Sequence, residues 1–225
     1  HLNNVMGLKV DIEGYPSGAS KDERAYQKAL EDLPSPACAI ISVPDNLHTE
    51  ISSDVIKSGV HALVVKPLAP TLKEAQTLVE LAEIHKVYGA VEFHKRFDKH
   101  NLLLKDKYES KTLGEPLYFN VEYSQKKIIP EKVFKSWAEK TNILQYLGIH
   151  YIDLVYFITK ATPLRVLAMG QKKWLINKKL NTYDSMQCLI EWKTKSNTKF
   201  NQTLVVNWID PNNNSSMSYQ KIKFC

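Results

Sequence analysis

The chain has 225 residues, of which 44% are hydrophobic and 24% are charged, an ordinary balance for a globular protein that can bury a substantial core. The net charge of +6 comes from lysines that are dispersed rather than gathered into a stripe, which argues against nucleic-acid binding. No apolar run is long enough to span a membrane, and the start of the sequence lacks the layout of a secretory signal.

Three widely spaced cysteines, Cys38, Cys188 and Cys225, indicate neither a disulfide framework nor a metal site. Such sparse usage is typical of a reducing compartment, so we expect a cytoplasmic protein without a structural metal.

The first part of the chain alternates between helical and strand patterns. Residues 8–12 could form a short strand that ends near Asp11, and 37–43 and 61–65 are continuous apolar runs of strand length. We predict helices over 21–33, 48–58 and 71–86, and a further strand over 88–93. Strands separated by helices and short loops indicate a parallel sheet, and we expect the run at 37–43 to be buried on both faces.

The second part is richer in strands. We predict a helix over 99–108, a strand over 117–124, a long helix over 142–158 and strands over 164–171, 184–193, 199–208 and 217–224. Lys195–Asn197 should turn a hairpin, and 207–216 should be a loop. The sequence thus predicts an α/β protein with a Rossmann-type parallel-sheet domain over 1–97 and an α+β domain with an open, mainly antiparallel sheet over 98–225.

The long helix carries an unusual set of polar groups. Tyr146, His150 and Asp153 are spaced i, i+4 and i+7, which places them on one side of an otherwise apolar helix. Buried polar groups are often satisfied structural residues, but a phenol, an imidazole and a carboxylate aligned in this way also suit catalysis. The spacing alone leaves both interpretations open.

Four separated segments together point to one family. They are SVPDNLHTEI (42–51), VVKPLAPTLKEAQTLVELAE (64–83), VEFHKRFD (91–98) and LGIHYIDL (147–154). In order and approximate spacing they resemble the Gfo/Idh/MocA family of NAD(P)-dependent oxidoreductases. The resemblance implies a dinucleotide-binding domain followed by a domain whose open sheet carries the substrate on one side and an oligomer interface on the other.

The sequence also departs from the family pattern. The family's first strand and glycine-rich phosphate loop have no counterpart, and the last residues stop inside a strand pattern, so we expect both domains to be incomplete. Val65 stands where the family has a glutamate before Lys66, and Tyr146 stands where an aspartate is commoner.

The resemblance implies that Lys66, Tyr146 and His150 are catalytic. We assign the acid/base role to Tyr146, with Lys66 lowering the pKa of the phenol and His150 orienting the substrate hydroxyl; the roles of Tyr146 and His150 could be exchanged. Lys66, partly desolvated, should itself have a lowered pKa, unless it is an ordinary strand-end lysine in solvent. Asp153 could hold the His150 ring or bond to neighbouring backbone.

The same resemblance assigns residues to a cofactor, NAD or NADP, and to a substrate. Those expected to bind the cofactor are Ser42, Pro44, Asn46, His48, Lys66 and Asp11, the last through the ribose 2′-hydroxyl. Those expected to contact the substrate are Arg96, Lys95, Tyr123, Trp137 and Asp153.

The sequence therefore predicts an NAD(P)-dependent oxidoreductase that acts on a sugar, a nucleotide sugar or a polyol. We expect a homodimer or homotetramer formed through the open sheet, with no nucleic-acid or membrane partner. Because Val65 and Tyr146 depart from the family pattern, the alternative is a non-catalytic relative that binds or senses the cofactor.

Overall fold

The computed structural model describes residues 25–225. Its helices are α1 (Ala25–Asp32), α2 (His48–Lys57), α3 (Leu72–Ile84), α4 (Lys99–Glu109), α5 (Ile149–Thr159) and α6 (Trp174–Asn177). Its strands are β1 (Cys38–Ile41), β2 (His61–Val65), β3 (Gly89–Glu92), β4 (Tyr118–Lys126), β5 (Thr162–Gln171), β6 (Ser185–Lys193), β7 (Lys199–Asp210) and β8 (Ser218–Phe224). The predicted strand over 8–12, with Asp11, lies outside the described residues.

A three-stranded parallel sheet, in the order β1-β2-β3, confirms the prediction for the first part of the chain. Ile41, Val64 and Val91 are aligned across it, so the three strands end at one edge. Helices α2 and α3 connect the strands, and their apolar faces pack on the sheet through residues such as Val55 and Leu78. Parallel strands joined in this way leave their carboxyl ends open to a ligand.

The prediction that the first of these strands is buried on both faces is wrong. Ile41 is buried, but the Ile40 side chain is 66% exposed and Cys38 is exposed as well. Within the described residues β1 pairs only with β2, so it forms an edge of this sheet and its apolar run overstates its burial.

The second sheet has five strands in the order β5-β6-β7-β4-β8. Its pairs are antiparallel except for β4 with β7, which are parallel, so the sheet is mixed and mainly antiparallel, as predicted. The hairpin between β6 and β7 is confirmed, with Asn197 in the left-handed region at φ 67°. The predicted loop over 207–216 is wrong at its start, because Asn207 pairs with Ser185 and Asp210 pairs with Lys126.

The helix predicted over 142–158 consists of two parts. Leu144–Gly148 forms a π-helical turn, and α5 continues from it. The side-chain oxygen of Asn142 accepts hydrogen bonds from the backbone N–H groups of Leu144 and Gln145, both at 3.0 Å, which caps the start. α5 then buries its apolar side against the second sheet, where it joins the core formed by Trp192, Leu204 and other sheet residues.

The helix approaches the sheet most closely at Gly148. A Cβ atom there would lie 2.6 Å from Leu144 Cδ1 and 3.3 Å from Leu204 Cδ2. The missing side chain thus lets the π-helical turn pack tightly on Leu204 of β7.

Candidate active site

A cavity of about 570 Å³ lies where the parallel sheet meets the helix and β4. From the first sheet it is lined by Ser42, Val43, Pro44, Asp45, Val65, Lys66, Glu92, His94 and Lys95. From the second half it is lined by Tyr123, Gln125, Trp137, Tyr146, Leu147, His150 and Tyr151. Its size is within the range of small-molecule sites.

Lys66 follows β2 directly and reaches into this cavity with a side chain that is only 7% exposed. Its Nζ donates to the backbone oxygen of Tyr146 at 2.5 Å and lies 4.2 Å from the centre of the Tyr146 ring. Burial lowers the pKa of Lys66, and the charges of Asp45 and Glu92 oppose that shift. The predicted lowered pKa is confirmed, and the alternative of a strand-end lysine in solvent is wrong.

Tyr146 projects from the π-helical turn into an aromatic wall. Its ring lies 4.8 Å from Phe134 and 5.9 Å from Trp137, measured between ring centres. Burial, and then the charges of Tyr123 and Asp45, raise the pKa of Tyr146 to about 12. The expectation that Lys66 lowers this pKa is therefore wrong: the ammonium contacts the ring face and the backbone oxygen, and burial disfavours the phenolate.

His150 lies in the first turn of α5 and is only 2% exposed. Its Nδ1 is buried and has no hydrogen-bond partner among the described residues. Burial, and then electrostatic repulsion between an imidazolium at this position and His94, Lys66 and Lys95 in their cationic forms, lower the pKa of His150 to about 3. The imidazole is therefore neutral at physiological pH and offers one nitrogen as an acceptor.

Asp153 is paired away from the cavity. Arg96 Nε donates to Asp153 Oδ2 at 2.7 Å, and Arg96 Nη2 donates to Oδ1 at 2.5 Å, a bidentate pair between the loop after β3 and α5. Neither residue lines the cavity, and their contact with a substrate stays a prediction. Among the described residues Asp153 forms hydrogen bonds with Arg96 and none with the His150 ring or with backbone, so neither sequence-based role for it is seen.

Two of the predicted cofactor residues also lie elsewhere. His48 is fully buried, with Nδ1 2.5 Å from the Pro67 oxygen and Nε2 2.9 Å from the Val43 oxygen. It therefore fastens together the loops that follow β1 and β2. Asn46 is exposed and outside the cavity lining. Ser42 and Pro44 do line the cavity, as do the predicted substrate contacts Lys95, Tyr123 and Trp137.

Several cavity residues received no functional role from the sequence. Asp45 follows Pro44 directly, and its buried carboxylate accepts a 2.5 Å hydrogen bond from the Thr141 hydroxyl. Glu92 ends β3 and His94 follows two residues later, so the sequence places His94 at the rim formed by the strand ends without giving it a role. Tyr151 carries a buried hydroxyl without a partner in the described part of the chain, and no sequence signal distinguishes it from a core aromatic residue.

Within residues 25–225, no group of three or more His, Cys, Asp or Glu side chains could hold a metal ion. None of the helices in the same range is both long and apolar enough to cross a membrane.

Comparison with known proteins identifies the family. Residues 9–93 match the model described as "Oxidoreductase family, NAD-binding Rossmann fold", and residues 102–213 match the "GFO/IDH/MocA C-terminal domain". The chain belongs to the Gfo/Idh/MocA family. The α/β fold, with a Rossmann-type domain and a second mixed-sheet domain, is the fold of this family.

Two Bacillus subtilis relatives of this Gfo/Idh/MocA chain have named activities. A scyllo-inositol 2-dehydrogenase (NADP(+)) is 30% identical over 152 residues, which are 63% of this chain and 42% of the relative. A glucose-6-phosphate 3-dehydrogenase is 23% identical over 174 residues, which are 75% of this chain and 48% of the relative. The chain thus spans less than half the length of these curated relatives.

Solved structures agree in fold. An inositol dehydrogenase homolog complexed with NAD+ from Azotobacter vinelandii has a TM-score of 0.76 and 19% identity, over 89% of this chain and 52% of that one. A probable dehydrogenase from Thermotoga maritima has a TM-score of 0.72 and 20% identity, over 91% of this chain and 58% of that one.

Proposed function

We propose that this protein is an NAD(P)-dependent oxidoreductase that transfers a hydride between the nicotinamide and a CH–OH carbon of a sugar, a nucleotide sugar or a polyol. One observation carries the proposal: Lys66 from the parallel sheet and Tyr146 and His150 from the helix meet in one cavity at the carboxyl ends of the strands. The cysteine-based expectation of a cytoplasmic location stays a prediction.

The residues fit the nicotinamide end of the cofactor. Ser42, Pro44 and Lys66 would hold it, since they line the cavity at the strand ends where such sheets bind ligands. When bound, the nicotinamide supplies the acceptor or donor of the hydride. The buried His150 Nδ1 and Tyr151 hydroxyl lack partners among residues 25–225, and a polar, hydroxyl-rich substrate would satisfy such groups.

The chain's own groups handle the substrate's proton. Burial lowers the pKa of Lys66, so its amine can accept and return a proton near neutral pH more readily than an exposed lysine. With a pKa of about 12, Tyr146 remains a phenol and donates a hydrogen bond. His150, neutral, accepts one from a substrate hydroxyl.

The substrate class is supported by the relatives' names and by the cavity wall. The named relatives act on an inositol and on glucose-6-phosphate, both of which are rings that bear several hydroxyl groups. Trp137 and Tyr123 offer aromatic faces in the cavity, and Lys95 offers a cation for a phosphate or carboxylate. We propose these three as substrate contacts.

The experiment has two stages on the intact protein. NADH and NADPH are first tested for a change in nicotinamide fluorescence and a thermal shift; turnover is then assayed with scyllo-inositol, myo-inositol, glucose-6-phosphate and UDP-N-acetylglucosamine. We expect binding of one cofactor and oxidation of at least one substrate. Binding without turnover across a wider panel would favour the non-catalytic relative, and absence of binding would refute the proposal.

We further propose a homodimer or homotetramer formed through the open face of the second sheet. Leu167, Met169 and Leu189 are exposed there, and Leu167 pairs directly with Leu189 across β5 and β6. Replacing Met169 by Glu should shift the sedimentation coefficient toward the monomer. Val79→Glu, at an exposed apolar position on α3, should not, and equal behaviour of the two variants would count against this interface.

A further inference from the structure

The geometry points to His94, held by Glu92, as a second group of the cavity that can take the substrate's hydroxyl proton, at Nε2, in place of the buried amine of Lys66. This inference rests on the proposed function and adds a residue to it. Both side chains line the cavity, at the carboxyl end of β3.

The carboxylate determines which nitrogen of His94 is free. His94 Nδ1 lies 3.1 Å from Glu92 Oε1 and 3.3 Å from Oε2. Because a carboxylate accepts hydrogen bonds, Glu92 favours the tautomer of His94 that carries its proton on Nδ1 and leaves the lone pair of Nε2 free. A carboxylate that orients an imidazole also stabilises the imidazolium that forms when Nε2 is protonated.

Glu92 and His94 lie next to Lys66 and His150. Glu92 pairs in the sheet with Val65, the residue before Lys66, so it lies beside the carboxyl end of β2. The His94 and His150 rings are 4.3 Å apart, centre to centre. Arg96, in the same short 3₁₀ turn as His94, forms an ion pair with Asp153 of α5, so this turn is joined to the helix that carries His150.

His94 differs from Lys66 and His150 in its exposure to solvent. Lys66 and His150 are almost fully buried, and His150, with a pKa of about 3, is a weak base. The His94 side chain is 53% exposed while it also lines the cavity, so it faces both the cavity and solvent. A proton accepted by His94 can therefore leave to water without crossing the buried cluster.

The step balances as an alcohol oxidation. The substrate's O–H bond breaks and its proton goes to His94 Nε2, while the hydrogen of the neighbouring C–H bond leaves with its electron pair as the hydride that a bound nicotinamide would accept. His94 then releases the proton to water, which restores the neutral imidazole, and a C=O bond replaces the CH–OH group.

Chemical rescue tests the role. With the best substrate of the panel, His94→Ala should lower kcat about 10²-fold or more, and added imidazole should restore part of it, with more basic methylimidazoles restoring more. His85→Ala, at an exposed histidine at the end of α3, should behave like the wild type with and without imidazole. Unchanged turnover in His94→Ala, or a loss that imidazole does not restore, overturns the assignment.

A second readout is independent of turnover. In protein labelled with ¹⁵N-histidine, long-range ¹H–¹⁵N spectra should show His94 protonated at Nδ1, and Glu92→Gln should weaken that preference while the His85 signals stay unchanged. An Nε2-protonated His94 in the wild type overturns the inference even if no substrate is turned over. Failure of the proposed function appears instead as a wild type without turnover, so the two failures are distinguishable.

Discussion

Two polar clusters include residues of the same helix and differ in whether their side chains have hydrogen-bond partners. At its start, Lys66, Tyr146 and His150 face a cavity, with a buried ammonium, a raised phenol pKa and an imidazole nitrogen without a partner among the described residues. One turn further, Asp153 has both oxygens occupied by Arg96. The contrast teaches that helical spacing brings polar groups to one side of a helix, whereas their bonding partners determine whether each group can take part in catalysis or only stabilises the fold.

The largest effect should come from Lys66. Lys66→Met removes the buried proton carrier while keeping the length of the side chain, so we expect kcat to fall by about 10²- to 10⁴-fold. Binding of NADH or NADPH, followed by fluorescence, should be largely retained. Lys57→Met, at an exposed position on α2, serves as the control. Equal turnover in the two variants would show that Lys66 takes no part in proton transfer.

Arg96 should matter for stability more than for chemistry. Arg96→Ala leaves the mostly buried carboxylate of Asp153 unpaired, so we expect the free energy of unfolding to fall by about 2 to 4 kcal/mol, a range reduced for the partial exposure of the arginine. Chemical denaturation measures it. The double variant Arg96→Ala, Asp153→Ala should lose less than the sum of the single changes, and strict additivity would contradict the pairing.

Tyr146 should contribute a hydrogen bond rather than a titrating group. Because its pKa is raised to about 12, the phenol stays protonated throughout the assay range, and Tyr146→Phe should lower kcat/KM about tenfold or less. The pH profile of kcat/KM should keep its shape. Tyr156→Phe, at a half-exposed residue on α5, provides the comparison, and loss of a titration step in the Tyr146 variant would restore an acid/base role.

The smallest effect at neutral pH concerns the titration of His150. Its pKa is about 3 in the folded chain against 6.5 when unperturbed, so between these values the unfolded state binds more protons. The free energy of unfolding should therefore decline as the pH falls below about 6.5, and His150→Asn should flatten that decline. Urea unfolding at several pH values measures the slopes. A slope equal to that of wild type would contradict the lowered pKa.

Much of the fold follows from local sequence patterns. Apolar runs and helical spacing located nearly every helix and strand of residues 25–225, and the alternation of strands and helices predicted the parallel sheet. Lys66, Tyr146 and His150 could be identified as one site because their segments match one family in order. Local patterns suffice here because they reflect backbone propensity and burial, which act over a few residues.

Partners across the chain were decided only by the tertiary structure. Asp153 accepts hydrogen bonds from Arg96, 57 residues away, and the His48 ring contacts the backbone oxygen of Pro67. Ile40 is exposed at the edge of the first sheet as described over residues 25–225. The direction of the Tyr146 pKa shift likewise depends on desolvation in the assembled cavity. The sequence by itself determined which elements form and which polar groups reach the strand ends, whereas hydrogen-bond partners and burial depend on atoms distant in the chain, and these set the protonation and the role of each group.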